Sequence, residues 1–155
     1  MDRALEIIDG LLEQPYYVID FLPEKVPENS NGQFFEVEDY LLNSKKHSEI
    51  KDRFANVILK LMCYYHVSVW QNGFGFIDRP EPEVIVEIIR NAATDRSDTL
   101  NILFPDENAL LVFDRDSLNL SLYHPDERMK ALAEKIALSE SLFFWRPESQ
   151  SITRM

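Results

Sequence analysis

Three acids fall within four residues at Glu36, Glu38 and Asp39. Converging carboxylates can work as an acid–base pair or hold a divalent cation. On a surface they attract a basic partner and speed its arrival. An EF-hand loop alternates its acids around a glycine and closes on a glutamate, and that spacing is absent here. The plainer reading is a solvated face beside Phe34, Phe35 and Tyr40.

A second acidic run, Asp78-Arg79-Pro80-Glu81-Pro82-Glu83, precedes Glu87. Glu83 and Glu87 are spaced i, i+4 and could share a metal on one helix face. Acids at a helix start also suit the backbone dipole, and no histidine stands beside them, so the exposed reading is preferred. Cys63 and His66 could pair as thiol and base. Cys63, however, sits in an apolar helical pattern and is expected to be buried and inert. His47, His66 and His124 belong to no metal-ligand spacing, and Gly73-Phe-Gly75 lacks the third glycine of a phosphate loop. A hydrolase using Glu36, Asp39, His66, Asp78 and His124 would need the fold to bring them together.

Trp70, Phe74 and Phe76 crowd a hairpin signalled by Asn72-Gly73. They could anchor a protein partner, or pack as cross-strand core residues with Gly75 at a bulge or close approach. Phe143-Phe144-Trp145 poses the same choice.

The elements that must position these groups follow from periodicity. Residues 2–13 place Ala4, Ile7, Ile8 and Leu11 at helical spacing, and Pro15 ends the pattern. Tyr16 to Phe21 reads as a strand, residues 22–33 as a loop, and Phe35 to Leu42 as a short helix. A central helix spans about Ser48 to Tyr65, with Ile50, Phe54, Val57, Ile58 and Leu61 on one stripe. A hairpin follows, then a helix from Glu83 to Ala93. Residues 99–123 alternate strongly, with turns at Pro105–Asn108 and Asp114–Ser117. They predict a three-strand antiparallel meander with one buried face. Pro125 opens a helix carrying Met129, Leu132 and Ile136, and a last short strand covers Leu142 to Trp145. This order predicts one α+β domain over 1–146, with a mainly antiparallel sheet, four to five helices packed on it, and a frayed tail over 147–155.

Composition narrows the function. The chain has 155 residues, 27 acids against 16 bases, and a net charge of -11. Residues 1–50 alone hold eleven acids and four bases. Such a balance argues against binding nucleic acid or anionic membranes, which both require Lys and Arg. One cysteine rules out an internal disulfide. No stretch reads as a signal peptide or a membrane span, so a soluble cytoplasmic protein is expected. No cofactor or metal is expected, and nothing in the sequence sets the oligomeric state.

These features predict a non-enzymatic module that binds a basic protein. Glu36, Glu38 and Asp39 would steer the partner, and Trp70 and Phe74 would anchor it. Small acidic immunity proteins, antitoxins and adaptors have this size and charge, a likeness of composition alone. The alternatives are a metal-dependent hydrolase built on carboxylates and histidine, or a DNA mimic whose carboxylates imitate phosphates.

Overall fold

Alternating side chains become a sheet when each face finds a cover. In the computed structural model, which describes residues 2–25, 27, 33, 36–37, 40, 49–71, 75–91, 99–114 and 119–147, seven strands do so. They are β1 (Tyr16–Asp20), β2 (Ser68–Gln71), β3 (Gly75–Asp78), β4 (Leu100–Phe104), β5 (Ala109–Asp114), β6 (Asn119–Tyr123) and β7 (Phe143–Trp145). Their order is β3-β2-β4-β5-β6-β1-β7, and every pairing is antiparallel. The four helices among the described residues are α1 (Asp2–Leu11), α2 (Glu49–Met62), α3 (Pro82–Asn91) and α4 (Glu127–Ser139). Together they form a single α+β domain. No helix among the described residues is long and apolar enough to cross a membrane.

Register assigns side chains to the two faces. Ile102 opposes Leu111, and Leu111 opposes Leu122, so these three share one face with Ile19, Val69 and Phe104. Phe54, Ile58 and Leu61 from α2, Ile85 and Ile89 from α3, and Met129, Ala133 and Ile136 from α4 cover it. Each fully buried Leu, Ile or Phe here contributes about 1.5–3 kcal/mol. On the other face Leu103 opposes Leu110, and Ile8 and Leu11 of α1 pack on them with Val112, Trp70 and Tyr123 alongside. Coverage by α1 explains why β4 is buried at every position, where its alternation predicted one wet face. β6 keeps the expected alternation.

Several boundaries moved. α2 ends at Met62, not Tyr65, because the chain turns there to enter β2. Cys63 therefore lies in the turn and is exposed, which corrects the expected burial. The cap of α4 is Asp126, whose side chain accepts a 2.7 Å hydrogen bond from the Met129 amide. Pro125 precedes this cap instead of occupying the first turn. The polar tail from residue 148 lies outside the described residues, and Pro147 at its head is buried.

Gly10 is helical within α1, and a Cβ added there would meet nothing within 4 Å. No steric demand of the fold calls for glycine at this position. Gly10→Ala should therefore raise stability by about 0.4–1 kcal/mol, through lower unfolded-state entropy and better helix propensity. A thermal melt showing no gain or a loss would mean that α1 frays through its last turn.

Candidate functional site

The strand pairing brings several loops to one end of the sheet. Ser68 at the start of β2 opposes Asp78 at the end of β3 and Leu103 near the end of β4. Phe104 opposes Ala109 across the next turn, and Tyr123 at the end of β6 lies opposite Leu110 and Tyr16. Residues 63–67, 78–81, 105–108 and 124–126 consequently share this end.

Backbone strain is concentrated here. Four described non-glycine residues have positive φ, and Arg79, Asn108 and His124 belong to these loops. Only Ser141 lies elsewhere, behind α4. Non-glycine residues held in this region usually mark turns or functional sites. His124 is fixed by its Nδ1, 2.9 Å from the Asn108 carbonyl oxygen. A carbonyl can only accept, so Nδ1 carries the proton.

Three side chains meet at Asp78. His66 Nε2 and Ser68 Oγ each lie 2.6 Å from its Oδ1. The Ser68 hydroxyl first, and then His66, hold the Asp78 carboxyl below the usual carboxylate range. His66 Nδ1 faces Asp106 Oδ2 at 3.8 Å. This is not a nucleophile–base–acid relay, in which the histidine bridges serine and acid. Here the acid bridges, and Ser68 is buried. A concavity of about 160 Å³ adjoins His66, lined also by Met62, Tyr65, Val67, Arg79 and Pro80. A second, of about 270 Å³, lies between α1 and this end, against Glu6, Ile7, Gly10, Gln14, Asn108 and His124. Small-molecule sites usually exceed about 300 Å³, so both are small for a free metabolite.

Carboxylates crowd the same end. Asp106 and Glu107 lie in the β4–β5 turn and Asp126 caps α4. Burial, and then the negative charges of Asp106 and Asp126, push the Glu107 carboxyl up. Glu107 Oε1 is buried with no hydrogen-bond partner among the described residues, and so is the hydroxyl of Tyr65. Tyr65 is 8% exposed and meets Phe104 edge to face at 5.7 Å. Burial raises its pKa and the charges of Asp126 and Glu107 add to this, while Arg128, lying over its ring, opposes them.

A carboxyl with a raised folded pKa binds its proton more tightly in the folded state. The wild-type protein should therefore lose stability relative to Glu107→Gln as pH climbs from the ordinary glutamate value, about 4.3, through the raised one. Above that window the gap should stay constant. Urea unfolding of both proteins across pH measures it, and parallel curves would refute it.

Of the residues singled out from sequence, Glu36 lies on helical backbone and is exposed. Trp70 is half-buried, opposes Phe76 and packs toward α1. Glu38, Asp39 and Phe74 lie outside the described residues. From the hydrolase set, His66 and Asp78 come together, whereas His124 bonds Asn108. Among the described residues no group of three or more His, Cys, Asp or Glu is arranged to hold a metal ion. Glu83 and Glu87 are exposed on α3. Tyr65, Asp106, Glu107 and Arg128 were missed, because in sequence they read as helix end, turn and helix start. No protein-family model matches the chain, and searches of curated proteins and of solved structures find no match either.

Proposed function

We propose that this protein is a non-catalytic, cytoplasmic module that binds a basic partner protein with the polar end of its sheet. One observation supports this reading above the others. Ser68 and Asp78 form a cross-strand pair, and Trp70 and Phe76 form the pair two residues further along the same face. An acid and two aromatic rings thus lie side by side on the outermost hairpin, with Phe76 39% exposed. Acids that steer and aromatics that anchor are what a protein interface for a cationic surface requires. Asp106 and Asp126 extend the acidic ground, and Glu36, Glu38 and Asp39 are proposed as further steering charges. Phe74 is the proposed companion of Trp70.

The test is capture from a lysate of the source organism by immobilised protein, washed at low and then high salt. A basic protein should be held at low salt and released at high salt. Asp106→Lys should slow its association, and Phe76→Ala should speed its release. Capture of nothing basic, or a partner indifferent to both substitutions, would overturn the proposal.

A catalytic reading draws on His66, whose imidazole is oriented by Asp78 beside the 160 Å³ concavity. In it, His66 would serve as a general base toward water. The size of the concavity and the burial of Ser68 place it second. Hydrolysis of any ester or peptide panel that is lost in His66→Gln would reverse that order.

A further inference from the structure

The two edge strands of the sheet differ. β7 at one edge is three residues long and runs toward the buried Pro147. β3 at the other holds neither lysine nor proline, the usual guards against strand addition. The ladder fixes which way its backbone faces. Val67 and Arg79 oppose each other one step beyond the Ser68–Asp78 pair, and the Arg79 amide donates to the Val67 carbonyl at 3.0 Å. Bonded and non-bonded pairs alternate along antiparallel strands, so Ile77 and Gly75 bond to β2. The amides and carbonyls of Phe76 and Asp78 therefore point outward, and they have no partner among the described residues. The side chains of these two residues also share a face, with the Phe76 ring exposed and the Asp78 carboxyl half-exposed. Ser68 and His66 both bond Oδ1 of Asp78 and keep it ionised, which leaves Oδ2 for an incoming donor. Arg79, the adjacent base, lines the concavity beside Tyr65 and Pro80.

We propose that β3 is extended by one strand of the basic partner, an antiparallel segment with a lysine or arginine opposite Asp78 and an apolar residue opposite Phe76. This rests on the binding reading above and adds the motif that is recognised. Strand addition draws affinity from main-chain hydrogen bonds and specificity from alternate side chains. Phe76 and Asp78 each exchange both backbone bonds with the residue opposite. In antiparallel order the base precedes the apolar residue by two positions, and the residue between them faces the other side, beside Ile77. An apolar side chain, best an aromatic one, then packs across the strands on the Phe76 ring. Charge favours this occupant over a second copy of the chain. Two copies with a net charge of -11 each repel, whereas a basic segment is attracted.

The probe is the peptide Nα-acetyl-Thr-Lys-Val-Tyr-Thr amide, titrated into the whole wild-type protein while backbone amides are followed by NMR. The amides of Phe76 and Asp78 should shift in a saturable way and exchange more slowly with solvent. Those of Gly75 and Ile77, already bonded to β2, should keep their exchange rates. N-methylation of the peptide's lysine and tyrosine amides, which face β3, should weaken binding about tenfold or more. N-methylation of its valine, whose amide faces away, should leave binding within about twofold. Glutamate in place of the lysine should cost about fivefold at low salt. The same peptide in reversed order keeps the charge and composition and should also bind more weakly. Equal binding by the doubly N-methylated, the glutamate or the reversed peptide would overturn the proposal. Shifts of the Phe76 and Asp78 amides with protein concentration alone, accompanied by a doubled mass, would assign the edge to a second copy and overturn it as well. If the peptide leaves both amides unmoved while Asp106→Lys still loses the captured partner, strand addition fails and the binding module stands. If Asp106→Lys and Phe76→Ala keep the partner unchanged, the binding module itself fails.

Discussion

Truncating Phe104 to alanine should lower the free energy of unfolding by about 3–5 kcal/mol. Phe104 is fully buried at the end of β4, where the main core meets the polar sheet end. Its ring supports Tyr65 edge to face, and its carbonyl accepts the Glu107 amide at 3.2 Å. Alanine would leave a ring-sized void among residues that β-strands hold apart, so the site cannot collapse to fill it. Domains of this size are stable by only about 5–15 kcal/mol, so the loss is a large share of the whole. The same substitution removes the wall that positions Tyr65. Denaturant unfolding with an unchanged m-value would measure the loss cleanly. A change below about 1 kcal/mol would show that the turn holds its shape without the ring.

Tyr65→Phe should have the opposite sign. Removing a buried hydroxyl that has no partner among the described residues relieves a desolvation penalty of about 1–3 kcal/mol. The ring, its contact with Phe104 and its stacking with Arg128 all remain. A gain of that size corresponds to about 2–4 °C in Tm for each kcal/mol in a chain of this length. A protein that becomes more stable without the hydroxyl has kept it for a task other than folding. Loss of stability in Tyr65→Phe would instead show that the hydroxyl is bonded within the protein.

The elements of this fold were legible where one physical rule dominates. Alternation at Leu120 and Leu122, and the stripe of Phe54, Ile58 and Leu61, report burial directly, and both were read correctly from spacing alone. The second cover was not legible. The stripe Ile8 and Leu11 predicts a helix, but nothing local says it will lie on Leu103 and Leu110, about a hundred residues away. The site was harder still. His66 and Asp78 stand together in the sequence only as two of five scattered hydrolase candidates, and it is the β2–β3 register that brings these two into contact. Arg79 and His124 adopt left-handed backbone without being glycine, so no composition rule marks those bends. Tyr65 and Glu107 lie 42 positions apart and signal nothing alone.

Strand order also has a consequence for synthesis. β1 is made about a hundred residues before its two neighbours, β6 and β7, and Tyr16 pairs with Tyr123. A ribosome adding about 5–20 residues per second would leave β1 waiting roughly 5–20 s for a partner. During that interval the aromatic, β-branched segment Tyr16–Asp20 is an unpaired strand, open to chaperones and to other nascent chains. During synthesis, the pairings of β1 with β6 and β7 can therefore form only after β2 to β5 have been made.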